Sequence, residues 1–455
     1  MDAKQLAKER EQIYLDLFTN KIPKRFPVED GLSWNYLIEY AGEDLMLTQF
    51  TCTKEKAIEI AEKGMEILRG DRMFPLGGLN PISLMFQKSR QSVMSSSGMI
   101  QHPEVEYMYE DEYDDFIKNP YDFVLERIIP RCNPAYAQGE VLRSFAFARY
   151  LLSAYEKAKE YAASREYIRE KYGLHAPPPG SGAHQYVPFD FLADHCRGFS
   201  KIHIDIKRQP EKVLEALEAL VPFCMWTGEN KVQSPLGSNL LPTHMGPYLN
   251  MRDFEKFYWP TFEKVVHLTA ARGQTMLIFL ENDWTRFLDY LQELPAGTRL
   301  FMEYGDPKKF KEKLGKKMVL AGFYPITLLR TGTKQQCIDK AKELIDILAP
   351  GGNYYFCFDK TALRLSDVNP ENYVAVMEYV LENSYYDNAG EPASSIKRED
   401  TIKNYTYPEF KSKYVIDFDE YIKDYPPVDP RIEPFMREGY LKYSDMLFLR
   451  IPHAM

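Results

Sequence analysis

The segment Met276–Trp284 is an apolar run of strand length that stops on Glu281, Asp283 and Trp284. Side chains two apart on a strand share a face, so the two carboxyls read as a pair with an indole beside them. A carboxyl among apolar rings keeps its proton to higher pH, and two carboxyls in contact share one. That is the chemistry of a general acid. Glu281 is the first candidate and Asp283 its coupled partner. His244, in the loop Leu241–Gly246, is a third catalytic candidate, able to donate or relay a proton. Trp284, Tyr304 and Tyr324 are candidate aromatic walls for a substrate, with Glu303 and Asp359 as polar rim groups. His102, in Gln101–Glu104, is a candidate that reaches the mouth from an insertion. The plainer alternative for Glu281 and Asp283 is a pair of carboxylates favoured by the dipole of the helix that follows.

These residues need a frame, and the sequence repeats one. Arg299–Asp306, Lys317–Tyr324 and Asn353–Asp359 follow the same grammar of an apolar run ending on polar groups, each before a helix-like stretch. In an α/β barrel the carboxyl ends of the strands face the active site, so this reads as half of a barrel with a site on one rim. Upstream, Lys4–Asn20 reads as a charged helix, and Lys21–Glu29 as a proline-punctuated first strand. Thr53–Arg69 is an amphipathic helix and Asp71–Gly78 a second strand and turn. The rhythm then breaks: roughly 84–188 reads as a long, mostly helical insertion ending in a Pro/Gly stretch. Phe199–Asp205 is expected to resume the strand rhythm, followed by helices at Glu211–Leu220 and Met251–Ala271. The expectation is one (β/α)8 TIM barrel over residues 1–455 carrying that insertion.

Composition narrows the function. A chain of 455 residues with 45% apolar and 14% aromatic content can bury a sizeable core. A formal charge of −9 and the lack of a basic stripe argue against nucleic acid as a partner. No apolar run has membrane-spanning length and the first residues carry no leader-like segment, so a cytoplasmic protein is expected. The six cysteines are scattered with no Cys-x-x-Cys pair, and read as reduced thiols.

The segments Lys21–Val28, Asp205–Val213, Met251–Pro260, Ala349–Gly352 and Asp367–Asn372 together resemble the uroporphyrinogen decarboxylase superfamily. Within it the chain is similar to the branch of chloromethane and other corrinoid-dependent methyltransferases. The resemblance implies a (β/α)8 barrel. It also implies a choice of chemistries. The decarboxylases hold porphyrin carboxylates with an arginine-rich segment after the first strand, where this chain has Glu29–Trp34 and no arginine. The thiol methyltransferases hold zinc with a His-x-Cys motif at the fifth strand and a cysteine at the eighth; here those positions fall at Phe279–Glu281 and close to Lys360. The expectation is therefore no zinc and no recognised metal motif, with a metal at Glu281, His244, Glu303 and Asp359 left open, and a methyltransferase that takes a methyl group from a small methylated compound. An O-methyl aromatic ether is the first choice, as in anaerobic O-demethylation, and the acceptor is a corrinoid (cobalamin) on a separate partner protein. The alternatives are a lyase acting on a carboxylated substrate, for which Arg330 is the candidate arginine, and a non-catalytic corrinoid or tetrapyrrole carrier. A homo-oligomer is left open.

Overall fold

The computed structural model describes residues 2–78, 80–104 and 106–448. The chain divides into two compact units, one of Met1–Leu79, Lys157–Val187 and Gly228–Thr406, the other of Asn80–Glu156, Pro188–Thr227 and Tyr407–Met455. The segment expected to interrupt the barrel is thus shared between them.

The first unit is built on a parallel sheet of four strands in sequence order: Asn239–Thr243, Met276–Asp283, Arg299–Tyr304 and Val319–Gly322. Their interior residues Leu241, Ile278, Leu280, Leu300, Met302 and Leu320 are fully buried, as expected for parallel strands covered by helices. Single parallel bridges continue the ring. Leu320 pairs with Tyr354 and Tyr324 with Phe358, Phe356 pairs with Val28 and Ala362 with Leu32. The Asp71 amide then donates to the Val28 carbonyl, Arg72 pairs with His175, and His184 returns to Leu240. The segments 28–32, 71–73, 174–185 and 354–358 are therefore the remaining staves of a TIM barrel, held by bridges rather than long ladders. Gly322 shows why one stave needs glycine: its φ is +98°, and a Cβ there would stand 2.1 Å from the Met302 carbonyl oxygen.

Buried ion pairing fixes the start of the ring. Asp71 is completely buried and accepts from both guanidinium nitrogens of Arg25 at 2.6 and 2.7 Å, from Arg10 and from the Val28 amide. Bidentate, charge-assisted bonds of this kind hold the guanidinium and the carboxylate in one geometry.

The second unit is helical, with a small hairpin of Val93–Met94 and Ile100–Gln101. Phe199–Asp205, expected as a strand, lies in the helix Phe199–Arg208. The isoleucines at 202, 204 and 206 alternate, but 202 and 206 are also one helical turn apart. Ile202 and Ile206 are buried and Ile204 is 41% exposed, the pattern of a helix face. Asp205 is buried beside them, accepting from Arg197 and from the Tyr113 hydroxyl. Among the described residues, no helix is long and apolar enough to cross a membrane.

Candidate active site

Strand parity divides the polar tips into two sets. Leu240, Leu277 and Phe301 line a cavity of about 780 Å³ in the barrel unit. Residues two and four further along the same strands share their face: Pro242 and His244, Phe279 and Glu281, and Glu303. All of these are half-buried, whereas the intervening residues Thr243, Ile278, Leu280 and Met302 are closed off completely. The stacked rings of Phe279 and Phe301, 4.5 Å apart, connect the middle of this face. Because Thr243 is the register partner of Leu280, His244 and Glu281 follow at neighbouring tips.

The rest of the lining comes from Glu29–Leu32, Arg72–Pro75, the helix residues Ala162, Arg165, Glu166 and Arg169, the stretch Ala176, Pro177 and Pro179, and Tyr355, Cys357, Phe358, Lys360 and Thr361. Below it a core cluster of Leu17, Val319, Ala321, Tyr355 and Cys357, with Phe18 and Phe301 packed on it, closes the barrel. The cavity therefore has an apolar floor and a charged rim.

At the rim, the Lys360 ammonium donates to Glu303 Oε1 at 2.7 Å, and the Asn282 amide donates to Glu303 Oε2 at 2.8 Å. Burial pushes the Glu303 carboxyl up, but the Lys360 ammonium and the Asn282 amide outweigh it and hold the carboxyl below its ordinary value. The same contact raises Lys360, with the charges of Asp359 and Glu281 adding to it, so the pair is ionised at neutral pH. Deeper in the wall, Arg72 donates to Glu29 Oε1 at 3.3 Å, and the Tyr14 hydroxyl donates to the same oxygen at 3.1 Å.

Of the residues expected from sequence, Glu281 and Glu303 lie on the strand face that continues from the cavity, and His244 follows the end of the neighbouring strand; none of the three is part of the cavity lining itself. Asp283 leaves that face. Asn282 has a φ of +65° and the register shifts between Leu280 and Asp283, so strand alternation ends before the second carboxyl. Asp283 Oδ1 instead accepts from the Thr285 amide at 2.8 Å, opening the short turn that follows. Trp284 has no exposed surface: it is enclosed by Phe254, Tyr258, Phe262 and Phe287, and its indole donates to the Glu281 carbonyl at 2.9 Å. Gly246 is small because a Cβ there would meet that indole at 2.8 Å. Tyr324 is likewise completely buried, donating to the Cys337 carbonyl. Tyr304 is 67% exposed. Asp359 is buried, its carboxyl raised first by that burial, and accepts from the Ile326 amide at 2.9 Å. His102 belongs to the second unit, where it is exposed and contacts Gln91 and Ser92. Arg330 is exposed on the short helix Leu328–Thr331 and is not part of the cavity lining.

Sequence reasoning missed Glu29, Arg72, Tyr355 and the role of Lys360. The available signal was the strand-end position of Asp71–Arg72 and of Asp359–Lys360. What was missing was the closure of the ring that brings these distant stretches together.

No thiol in the chain is primed as a nucleophile. All six cysteines are buried and unpaired, and burial raises each of their pKa values, that of Cys132 to about 12. Among the described residues, no three His, Cys, Asp or Glu side chains gather as a metal site.

Comparison with known proteins agrees with this frame. Residues 186–382 match the family model for uroporphyrinogen decarboxylase (URO-D). No curated protein sequence matches the chain. Among solved structures, a methyltransferase from Methanosarcina mazei superposes with a TM-score of 0.52 at 13% identity, covering 82% of this chain and 98% of that one. At that identity the likeness is one of fold. The family match and the ring of parallel staves together assign the segment 186–382 to the uroporphyrinogen decarboxylase family, on a TIM barrel.

Proposed function

We propose that this protein is the substrate-side methyltransferase of a corrinoid system, working in the cytoplasm on a small methylated compound. The best-suited substrate class is the O-methyl aromatic ethers, and the acceptor is a reduced corrinoid carried by a separate protein, a co-substrate rather than a resident cofactor. The observation that carries the reading is the cavity: an apolar floor of Leu240, Leu277, Phe301 and Phe358 suited to a ring, with Lys360 on its rim and, next to that lysine, the strand-end carboxyls Glu281 and Glu303. An ether oxygen departs more readily when hydrogen-bonded or protonated. Glu281, on the strand face that continues from the cavity, is the carboxyl assigned to deliver that proton, with His244 at the neighbouring tip as relay. Asp283 has no part in this version, because its carboxylate is engaged by the turn at Thr285. The solved methyltransferase of similar fold supports the reaction class.

The test is methyl transfer from a panel of methoxyaromatics to free Co(I) cobalamin. Transfer is expected only when the reduced corrinoid is present. Loss of methyl from substrate in a corrin-free assay would overturn the reading, because no thiol of the chain is activated to accept it.

One observation favours a second reading. Arg72 gives one N–H to Glu29, and its remaining donors lie in the cavity wall, so an arginine fork suited to a carboxylate exists where the sequence showed none. A lyase acting on a small carboxylic acid would use it. Release of CO2 from such acids without corrinoid separates the two.

A further inference from the structure

The cavity lining carries the cations Arg72, Arg165, Arg169 and Lys360; Arg72 is paired with Glu29 and Arg169 with Glu166, and Lys360 stands at the strand-end carboxyls. Glu303 is an ionised carboxylate and can only accept, and Asp359 Oδ1 accepts from the Ile326 amide. An aryl ether oxygen, and the phenolate it becomes, can also only accept. Among the described residues at this rim, Lys360 supplies the ammonium. Its Nζ carries three N–H groups, of which Glu303 takes one. Lys360 and Thr361 are part of the cavity lining, and the lysine side chain is 48% exposed, so a ligand in the cavity has access to it.

The position is built rather than incidental. Both oxygens of Glu303 are engaged, one by Lys360 and the other by the Asn282 amide, whose positive-φ conformation is what turns that N–H toward the neighbouring strand. Asp359 Oδ1 is tied to the Ile326 amide, and the Lys360 ammonium makes its hydrogen bond to Glu303. The charged groups acting on Lys360 are thus Glu303 from one strand, Glu281 from the next, and Asp359 beside it.

We propose that Lys360 is the oxyanion-binding group of this cavity and that the ligand it takes is a phenol, as the departing half of an aryl methyl ether. The assignment rests on the methyltransferase reading for the reaction but not for the binding. In the step, the methyl carbon–oxygen bond breaks with its electron pair staying on oxygen. The electron pair of Co(I) in the corrinoid co-substrate forms the new bond to carbon, and no other oxidant or reductant is consumed. The charge that develops on oxygen is met by the ammonium as the bond breaks, and Glu281 delivers the proton that turns the departing oxygen into the phenol hydroxyl. A preorganised donor at a developing oxyanion is worth about 10²–10³-fold in rate.

Two measurements test it on the whole chain. The first needs no turnover: 4-nitrophenol is titrated in absorbance while bound to the wild type, to Lys360→Met and to Lys360→Arg. An opposite charge within hydrogen-bond reach should lower the apparent pKa of the bound phenol by about one pH unit or more in the wild type. Methionine should abolish the shift and arginine should restore most of it. An equal bound pKa in the wild type and Lys360→Met overturns the proposal. The second compares anisole with 4-nitroanisole as methyl donors to Co(I) cobalamin. Lys360→Met should lose about 10²–10³-fold in kcat on anisole, with KM little changed, and distinctly less on 4-nitroanisole, whose departing oxygen spreads its own charge. An equal loss on both ethers, or none, counts against the role. A lysine-dependent shift in bound nitrophenol with no methyl transfer from any ether would sink the methyltransferase reading and leave the oxyanion site standing.

Discussion

The two faces of the same strand ends behave as different materials. On the inner face, Leu240, Leu277 and Phe301 line the cavity, and His244, Glu281 and Glu303 extend that face to the rim, half-buried and polar. On the outer side, Trp284 and Tyr324 are wholly enclosed in aromatic packing, with their single donors spent on backbone carbonyls. Glu281 and Trp284 are three residues apart and share a hydrogen bond, yet the first is half-buried at the strand end, where we propose the chemistry, and the second is wholly buried in the core. In a barrel wall one residue of register separates a site group from a packing group, so composition at a strand tip says little until the local turn is known.

The sharpest way to test that division is to empty the outer side. Trp284→Ala should cost about 3–5 kcal/mol of stability, the usual range for deleting a fully buried aromatic. Chemical denaturation of the variant reads this directly. Substrate affinity in the protein that remains folded should be close to that of the wild type. A stable variant with collapsed affinity would make Trp284 a cavity wall after all and erase the distinction.

The inner side should respond in the opposite manner. Glu281→Gln keeps shape and one hydrogen bond but cannot deliver a proton, so turnover should fall by about 10²–10⁴-fold while substrate binding and melting temperature hardly move. If Glu281 serves only as a carboxylate at the start of the following turn, the variant should run at full speed and lose no more than about 1 kcal/mol.

Acid should strike the packed parts of the barrel unit through its buried imidazoles. His175, stacked on Tyr14 at 4.7 Å, and His267, which accepts from the Lys403 amide, are both depressed to about 4, first by burial and then by nearby cations. The unfolded chain takes up these protons at about pH 6.5, before the folded one does. Their contribution is therefore complete above about pH 6.5 and is lost as pH falls toward 4. A depression of this size is on the order of 3 kcal/mol per buried histidine. Denaturant midpoints at pH 7.5 and 4.5 should differ accordingly, and His267→Gln should flatten the slope. An unchanged slope in that variant would mean that His267 is hydrated in the native state.

How far the sequence could be read follows from the same contrast. Parallel strands with both faces covered are apolar runs that end abruptly, so Met276–Asp283, Arg299–Tyr304 and Val319–Gly322 were legible, as was the expectation of functional groups at their ends. The assignment of those groups to faces was not. It depends on Asn282 at φ +65°, a conformation that asparagine tolerates but does not require. Arg72 and Lys360 were hidden for a different reason: their strand-end positions are the one local mark they carry, and they line one cavity only because the ring closes through the bridges at Val28, Phe356 and His175. Phe199–Asp205 failed because alternation and a helical repeat coincide at a spacing of four residues.

The smallest expected effect is also the most discriminating for the Asn282 turn. Asp283→Asn retains an oxygen that can accept from the Thr285 amide, so the turn should survive with a change within about 0.5 kcal/mol. Asp283→Ala removes the acceptor and should cost on the order of 1 kcal/mol, as loss of a capping side chain does. Neither should alter the pH dependence of turnover, because the Asp283 carboxylate is turned to the Thr285 amide beyond the register shift, off the face that Glu281 occupies. Had strand alternation continued through Asn282, the two carboxyls would titrate together, and removing one would move the acid limb of the rate profile. A displaced acid limb in Asp283→Asn would therefore show that the turn opens during catalysis and that the second carboxyl joins the first. An unmoved limb with a slightly softened Asp283→Ala protein would leave Glu281 as the carboxyl at the end of this strand that belongs to the site.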